Sequence, residues 1–488
     1  MLSRRNFVAV VMGARYGSAS APQDLDSINL VDAAAMLRRR TVSPVDLTQS
    51  CIRRVERLNP RLNAFITVTA ETAIAEARLA EKEILAGRWR GPLHGIPIAL
   101  KDLFDTAGLR TTAASAQYSE RFPAEDAEVV RRLRAAGAVI LGKLNMDEFA
   151  YGFTSETSCY GLSRNPWDAQ RSPGGSSGGS AIAVATGMCF AALGSDTGGS
   201  IRLPAAFCGI TGLKPTYGRV ATRGVVPLAW SLDHVGPMCR SARDAATVLA
   251  AICGRDRVDP ACSLAAVPPL NDILRVPAKT LRLGVPKGAW FQKSDPEIKD
   301  ASENAVKLLE RLCRTVEEVD LPLLPPAPQL PALPLTYLLI IQSEAYAFHE
   351  ELLKRHPERY HASTRNSIQN GEKIAVGDYV RARREMERLR AEIGRVFDRV
   401  DLLITPTSPG AAFELGKTPD VAFLGNTAPW NLYGLPSISV PCGFTAGGLP
   451  IGLQITGPAA REDLVLKLAD AYQQSTDWHR RRPPATRS

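Results

Sequence analysis

Two clusters of glycine and serine contain the residue types in this sequence that could do chemistry. The first is Pro173–Ser180, with the sequence PGGSSGGS, and the second is Gly194–Ser200, with the sequence GSDTGGS. Glycine allows the backbone to take unusual angles or to approach another group closely. Serine among such glycines is either a turn residue or a hydroxyl held for reaction, and a hydroxyl needs a base to become a nucleophile.

Lys101 is a candidate for that base. It follows the short apolar run Ile96–Leu100, which predicts a buried strand. A lysine accepts a proton only when it is neutral, and burial lowers its pKa toward that state. Taken alone, the position also fits a structural lysine whose stem lies on the core and whose ammonium reaches solvent.

Helices and strands alternate around these residues. Residues 125–136 have the pattern of a helix and residues 138–142 that of a strand, and later apolar runs predict strands near 281–286, 401–407 and 437–441. Such alternation favours an α/β sheet, with ligands near the carboxyl ends of its strands. The side chains that do chemistry are therefore expected at one edge of a sheet.

Local signals mark where helices begin and where the chain is irregular. Ser43 before Pro44 predicts a capped helix start, and Thr69 is expected to cap the next helix. Helices are also expected near 336–356 and 378–398. The proline-rich stretch 321–335 predicts an irregular loop, which suits an insertion over the site better than a linker between domains.

Composition excludes several classes of protein. Hydrophobic residues make up 45% and charged residues 22% of the 488 residues, as in a globular protein, and no apolar run is long enough to cross a membrane. The net charge is +9, but seven of these charges lie within residues 1–21 and 478–488, so we expect no nucleic-acid partner. Nine scattered cysteines form no C-x-x-C pair and there is no H-E-x-x-H motif, so neither a metal nor a cofactor is expected.

The two ends of the chain are expected to lie outside the folded domain. Residues 1–21 carry Arg4 and Arg5 before a short apolar run, as in a twin-arginine export signal, although a disordered leader fits as well. The protein is accordingly expected in the cytoplasm, with the periplasm as the alternative. Residues 478–488 are a basic tail.

Six motifs together resemble those of the amidase signature family of serine hydrolases. They are GIPIALKD (95–102), PGGSSGGS (173–180), GSDTGGSIRLPA (194–205), GLKPTYGR (212–219), DHVGPM (233–238) and GLPSISVP (434–441). The resemblance covers residues 26–475, with the catalytic core in about 91–240. It implies an α/β fold in which a single large domain has a central mixed β-sheet flanked by helices on both faces.

The resemblance also implies a role for each motif residue. Ser200 would attack an amide carbonyl, and Ser176 would relay its proton to Lys101 and back to the leaving amine. The N–H groups of Thr197, Gly198 and Gly199 would stabilise the oxyanion. Two further residues, Asp196 and Arg202, would hold the loop. The remaining nearby serines (172, 177, 180 and 195) are interpreted as turn and cap residues, and His94 and His234 are given no role in catalysis.

The expected activity is hydrolysis of a small-molecule amide to an acid and ammonia or an amine. The alternative is the glutamine-hydrolysing A subunit of an aminoacyl-tRNA amidotransferase, which belongs to the same family. There, glutamine is held by an arginine and an aspartate, and these two positions fall near Leu424 and Ser367 here, so the free-standing amidase is favoured. The acyl pocket is expected between residues 146–151, 321–345 and 423–430. The sequence is compatible with a homodimer.

Overall fold

A computed structural model describes residues 25, 28–263, 278–322, 324, 326–327, 330–417 and 421–486. The predicted leader, residues 1–21, lies outside these residues. The helices are α1 Leu30–Arg39, α2 Pro44–Leu62, α3 Ala70–Leu85, α4 Glu128–Ala135, α5 Gly178–Ala185, α6 Arg202–Cys208, α7 Ala242–Ile252, α8 Ala289–Gln292, α9 Pro296–Leu312, α10 Leu335–Arg355, α11 Ala362–Gln369, α12 Val376–Ile393, α13 Ala428–Leu432 and α14 Glu462–Gln474.

The strands belong to one large sheet and one small one. They are β1 Phe65–Val68, β2 Pro97–Lys101, β3 Val139–Leu144, β4 Ala191–Asp196, β5 Thr211–Lys214, β6 His234–Cys239, β7 Arg282–Pro286, β8 Thr315–Val319, β9 Pro326–Ala327, β10 Leu330–Pro334, β11 Leu402–Pro406, β12 Ser437–Phe444 and β13 Pro450–Thr456. Within the described residues, the large sheet has eleven strands in the order β1-β3-β2-β4-β6-β5-β12-β13-β11-β7-β8. Parallel and antiparallel pairs both occur in it, which confirms the predicted mixed sheet.

Helices α2 and α3 begin directly after the two predicted cap residues, Ser43 and Thr69. Ser43 caps α2 as predicted, because its hydroxyl accepts the Asp46 N–H and the Asp46 carboxylate accepts the Ser43 N–H in return. Thr69 does precede α3, but its hydroxyl donates to the carbonyl of Ile140 and does not cap the helix. That bond ties the start of α3 to β3, a contact between distant residues that a helix pattern does not contain.

The sheet brings together residues far apart in sequence. β2 lies between β3 and β4 and is parallel to both. In the β2–β4 pair, Leu100 is opposite Leu193, so the ends of both strands reach the same edge. Lys101 at the end of β2 therefore lies beside the Gly/Ser cluster that ends β4, as the rule for parallel strands predicts.

The proline-rich stretch is more regular than predicted. The short strands β9 and β10 pair antiparallel within it, and α10 begins directly after β10. The expectation of an irregular loop over 321–335 is therefore wrong for this part. Proline lacks a backbone donor but tolerates the edge of a two-stranded ribbon, where few ladder bonds are required.

None of the helices in the described ranges is long and apolar enough to cross a membrane. Residues 478–486 of the basic tail pack against the body, where Arg481 lies over the ring of Phe444. The nine cysteines are free thiols, and six of them are buried.

Candidate active site

Lys101 is fully buried and has two hydroxyl partners. Its Nζ atom lies 2.7 Å from Ser176 Oγ and 2.8 Å from Ser195 Oγ. The side chain does not extend to solvent, so the interpretation of a structural surface lysine is wrong. The predicted pairing of Lys101 with Ser176 is present, although 75 residues separate them in the chain.

The surroundings of Lys101 favour its neutral form. Burial lowers its pKa to about 7, although the negative charges of Asp147, Asp196 and Asp233 oppose that shift. Near neutral pH a substantial fraction of Lys101 therefore carries a free electron pair. A base with a pKa near the working pH combines the correct protonation state with a useful driving force for proton transfer.

The loop that carries Ser176 is held by Asp147. The Asp147 N–H donates to the Ser176 carbonyl at 3.2 Å, and the Asp147 carboxylate accepts the N–H groups of Thr154 and Ser155 at 3.1 and 2.9 Å. The Gly175–Ser176 peptide bond is cis. These contacts fix the backbone around Ser176 from a second loop, so the hydroxyl is aimed at Lys101 by packing as well as by its hydrogen bond.

Ser200 lies next to this loop. Its carbonyl accepts the N–H of Ser177 at 3.2 Å, which joins the two Gly/Ser clusters directly. The Ser200 residue is 6% exposed, whereas Ser176 is 0% exposed. Of the two serines, Ser200 is thus the one that a bound molecule can reach.

Asp196 and Arg202 form a buried brace around the Ser200 loop. Both side chains are fully buried, and the Arg202 Nε and Nη2 atoms lie 3.0 and 2.9 Å from the two carboxylate oxygens of Asp196. Burial alone would raise the pKa of Asp196, but the Arg202 guanidinium holds that pKa well below its usual value. The predicted pairing of these two residues is present, and α6, which starts at Arg202, carries it.

Hydrogen bonds within the protein already occupy part of the predicted oxyanion loop. The Gly199 N–H already donates to Asp196 Oδ1 at 2.8 Å, so it is not a free donor. The Thr197 hydroxyl donates to Asp233 Oδ1 at 2.6 Å, which fixes that side chain. Within the part of the chain that the structure describes, the N–H groups of Thr197 and Gly198 have no acceptor.

A cavity of about 240 Å³, here called the Ser200 cavity, opens beside Ser200. Each of the three segments predicted to form the acyl pocket contributes to it, through Ala150 and Tyr151, through Leu333 to Gln342, and through Leu424. Ser367 and Leu424 both line it, and none of the described lining residues has a charged side chain. The cavity therefore suits an uncharged, largely apolar acyl group.

Sequence reasoning missed three residues of this site. Ser195 was interpreted as a turn residue, yet it is the second partner of Lys101. Asp147 and Asp233 were given no role, yet they hold the loops of Ser176 and Thr197. Ser195 lies in β4 beside β2, so a correct strand order could have found it, whereas the two aspartates depend on how loops fold back.

The comparisons with known proteins agree with one another. The amidase family model matches residues 46–466. The chain is 42% identical to the A subunit of glutamyl-tRNA(Gln) amidotransferase of Roseiflexus sp. (strain RS-1), over 94% of this chain and 98% of that protein. The peptide amidase of Stenotrophomonas maltophilia has a similar structure, with a TM-score of 0.84, 32% identity and coverage of 95% and 99%. The A subunit of the Thermotoga maritima amidotransferase matches with a TM-score of 0.77, 34% identity and coverage of 93% and 96%.

The fold and these matches define a hydrolase of amide C–N bonds. The chain belongs to the amidase family, since the family model spans most of its length and the relatives match it nearly end to end. The recognition made from the six motifs is confirmed, and so is the single-domain mixed sheet with its helices.

Proposed function

We propose that this protein hydrolyses small uncharged amides through an acyl-enzyme on Ser200. The observation that carries the proposal is the buried Lys101–Ser176 hydrogen bond of 2.7 Å, with a lysine whose pKa is lowered to about 7. Neutral Lys101 takes the proton of Ser176, and Ser176 takes that of Ser200 as it attacks the carbonyl carbon. The oxyanion that forms is stabilised by the free N–H groups of Thr197 and Gly198.

The same relay then runs in reverse. Lys101 returns its proton through Ser176 to the amide nitrogen, and the C–N bond breaks to release ammonia or an amine. Water next attacks the Ser200 ester and frees the carboxylic acid. A relay of this kind serves as base in one half of the reaction and as acid in the other, so no metal or cofactor takes part in the proposed steps.

A fluorophosphonate probe tests the assignment of Ser200. Such a probe reacts with an activated serine hydroxyl, so it should label the wild type and leave Ser200→Ala unlabelled. Ser180→Ala is a matched control, because Ser180 Oγ donates its hydrogen bond to the Leu193 carbonyl and not to Lys101 or Ser200. Equal labelling of the wild type and Ser200→Ala would overturn the assignment.

The second candidate function is glutamine hydrolysis as an amidotransferase subunit. It is favoured by the 42% identity to a protein of that name. Against it, an uncharged Ser200 cavity would leave the ammonium and carboxylate of glutamine without charged partners, at a cost of several kcal/mol. The free-standing amidase is therefore the main proposal, and its location in the cell and any homodimer stay predictions.

A further inference from the structure

A second cavity, here called the Trp230 cavity, meets the Ser200 cavity. Its volume is about 670 Å³, and it shares the lining residues Ala150, Thr197 and Leu228 with the smaller cavity. A pocket that binds a small organic molecule is typically about 300–1,000 Å³ in volume. The Trp230 cavity is thus large enough to hold a substantial part of a substrate, while hydrolysis that releases only ammonia would not need it.

The Trp230 cavity reaches a residue that contacts Lys101. Ser195 lines it, and Ser195 Oγ is the second partner of Lys101 Nζ. Ser200, in contrast, lines the smaller cavity, and Thr197 lines both. The leaving nitrogen receives its proton from the lysine relay, so a group bonded to that nitrogen would point toward the Trp230 cavity.

The charged side chains of this cavity already have partners. Arg223 pairs with Asp256 and Glu128, both at 2.7 Å, and Arg383 pairs with Glu344 at 3.1 Å. Asp259 accepts the N–H groups of Thr222 and Ala261 at 2.6 and 2.9 Å. Asp233 likewise accepts from Thr197 and from the N–H of Leu228. A charged ligand would have to compete with these bonds, so the cavity is poorly suited to bind one.

Most of the other lining residues are apolar. Val225, Val226, Leu228 and Phe348 line the cavity, together with Trp230 and Val258. The last two are 48% and 73% exposed, and they are among the few large apolar side chains that the described part of the chain exposes to solvent. Together with the apolar lining, these two side chains form an apolar surface of the kind that suits an apolar group of a ligand.

We propose that the Trp230 cavity binds an apolar aryl or alkyl group on the amide nitrogen, so that the substrates are secondary amides. This inference rests on the proposed function, since it names the substrate class of the same site. With N-phenylbutyramide, Ser200 forms a butyryl ester, the C–N bond breaks, and the proton taken from Ser200 goes to the nitrogen. Aniline leaves through the Trp230 cavity, and water then hydrolyses the ester to butyrate.

The test compares butyramide with N-phenylbutyramide, which share one acyl group. Trp230→Ala and Val258→Asp should each raise KM for N-phenylbutyramide by about 2- to 10-fold, since each removes apolar contact with the ring. KM for butyramide should stay unchanged in both. Phe122→Ala is the control, because the exposure of Phe122, 58%, lies between those of Trp230 and Val258 and Phe122 lines neither cavity.

Two other results would contradict the inference but not the proposed function. If the wild type cleaves butyramide but not N-phenylbutyramide, or if Trp230→Ala alters both substrates alike, the inference is overturned while the proposed function stands. The first of these results is also the one expected of a cavity that only lets ammonia pass.

If the wild type cleaves neither amide, the proposed function fails. The affinities of the two amides then test whether the Trp230 cavity binds the group on the amide nitrogen. Calorimetry on Ser200→Ala should then show tighter binding of N-phenylbutyramide than of butyramide, and adding Trp230→Ala should abolish the difference. Equal affinities for the two amides, or a difference that persists in the variant without Trp230, would overturn the inference about the Trp230 cavity.

Discussion

At the scale of single residues, the proposed reaction depends on the charge of Lys101. Its pKa is lowered to about 7 by burial, and the base is the neutral form, so acid should remove activity by protonating it. Two pH units below that pKa only about 1% of the lysine is neutral, so kcat/KM near pH 5 should be about 100-fold below its plateau.

A pH–rate profile between about pH 5 and pH 9 checks this expectation, with circular dichroism at each pH to show that the fold persists. Lys101→Arg should be inactive at every pH, because arginine stays protonated throughout. A profile that is flat from neutral pH down to about pH 5 would contradict a neutral lysine as the base.

The two hydroxyl partners of Lys101 should not be equivalent. Ser176→Ala interrupts the proposed relay and should lower kcat by about 10²–10⁴-fold, as loss of general acid–base catalysis does. Ser195→Ala removes a hydrogen bond that only positions Lys101, so kcat should fall by about 2- to 10-fold and the apparent pKa of the profile should move. Ser180→Ala is the buried control from the same cluster. Similar losses in Ser176→Ala and Ser180→Ala would show that the defect is one of packing.

At the scale of elements, the connection between β4 and α6 fixes the loop that carries Ser200. Arg202 begins α6 and binds Asp196 at the end of β4, and its Nη1 and Nη2 atoms also reach Gln454 on β13 and Asn431 on α13. Gly199 between them has φ +139°, and an added Cβ would lie 2.3 Å from Thr427 Oγ1. The loop is therefore shaped by elements from both halves of the sheet.

Arg202→Met should consequently lower stability as well as activity. It leaves the Asp196 carboxylate buried without its cation, and breaking a buried pair from one side costs about 3–5 kcal/mol in the free energy of unfolding. Denaturant unfolding measures the loss. Arg388→Met is the control, since Arg388 pairs with Glu385 and Glu392 on the surface of α12, where ion pairs contribute little. Equal shifts in the two variants would contradict the role given to Arg202.

The same elements show which parts of the site can be predicted from the sequence. The strand that ends at Lys101 could be predicted because a short apolar run between glycine and polar residues is a local signal. The pairing of Lys101 with Ser176 followed from the family motifs. The second bond, to Ser195, has no local pattern and requires the strand order, because it depends on β4 lying beside β2. The bond from the Gly199 N–H to Asp196 is likewise absent from any local pattern, since it forms only in the folded loop.

At the scale of the whole molecule, the question is whether the chain works alone or for a partner. Relatives that match nearly its full length are named as amidotransferase subunits, while a structural neighbour is named as a peptide amidase. The sheet and the helices are common to both kinds of protein, so the overall fold does not decide between them. The charge of the Ser200 cavity can distinguish them, and its lining residues Leu424 and Ser367 are uncharged.

Butyramide and glutamine form a matched pair for this question, because butyramide is the glutamine side chain with a methyl group in place of the charged head. The purified chain, with no other protein added, should cleave butyramide with a kcat/KM at least about 10-fold above that for glutamine. The reason is that the ammonium and carboxylate of glutamine would lose water and gain no charged partner in the cavity. Release of ammonia from each amide, measured with Ser200→Ala as the blank, gives both constants. A preference for glutamine would mean that charged partners reach the head group from outside the described cavity, and the chain would then be better explained as part of an amidotransferase.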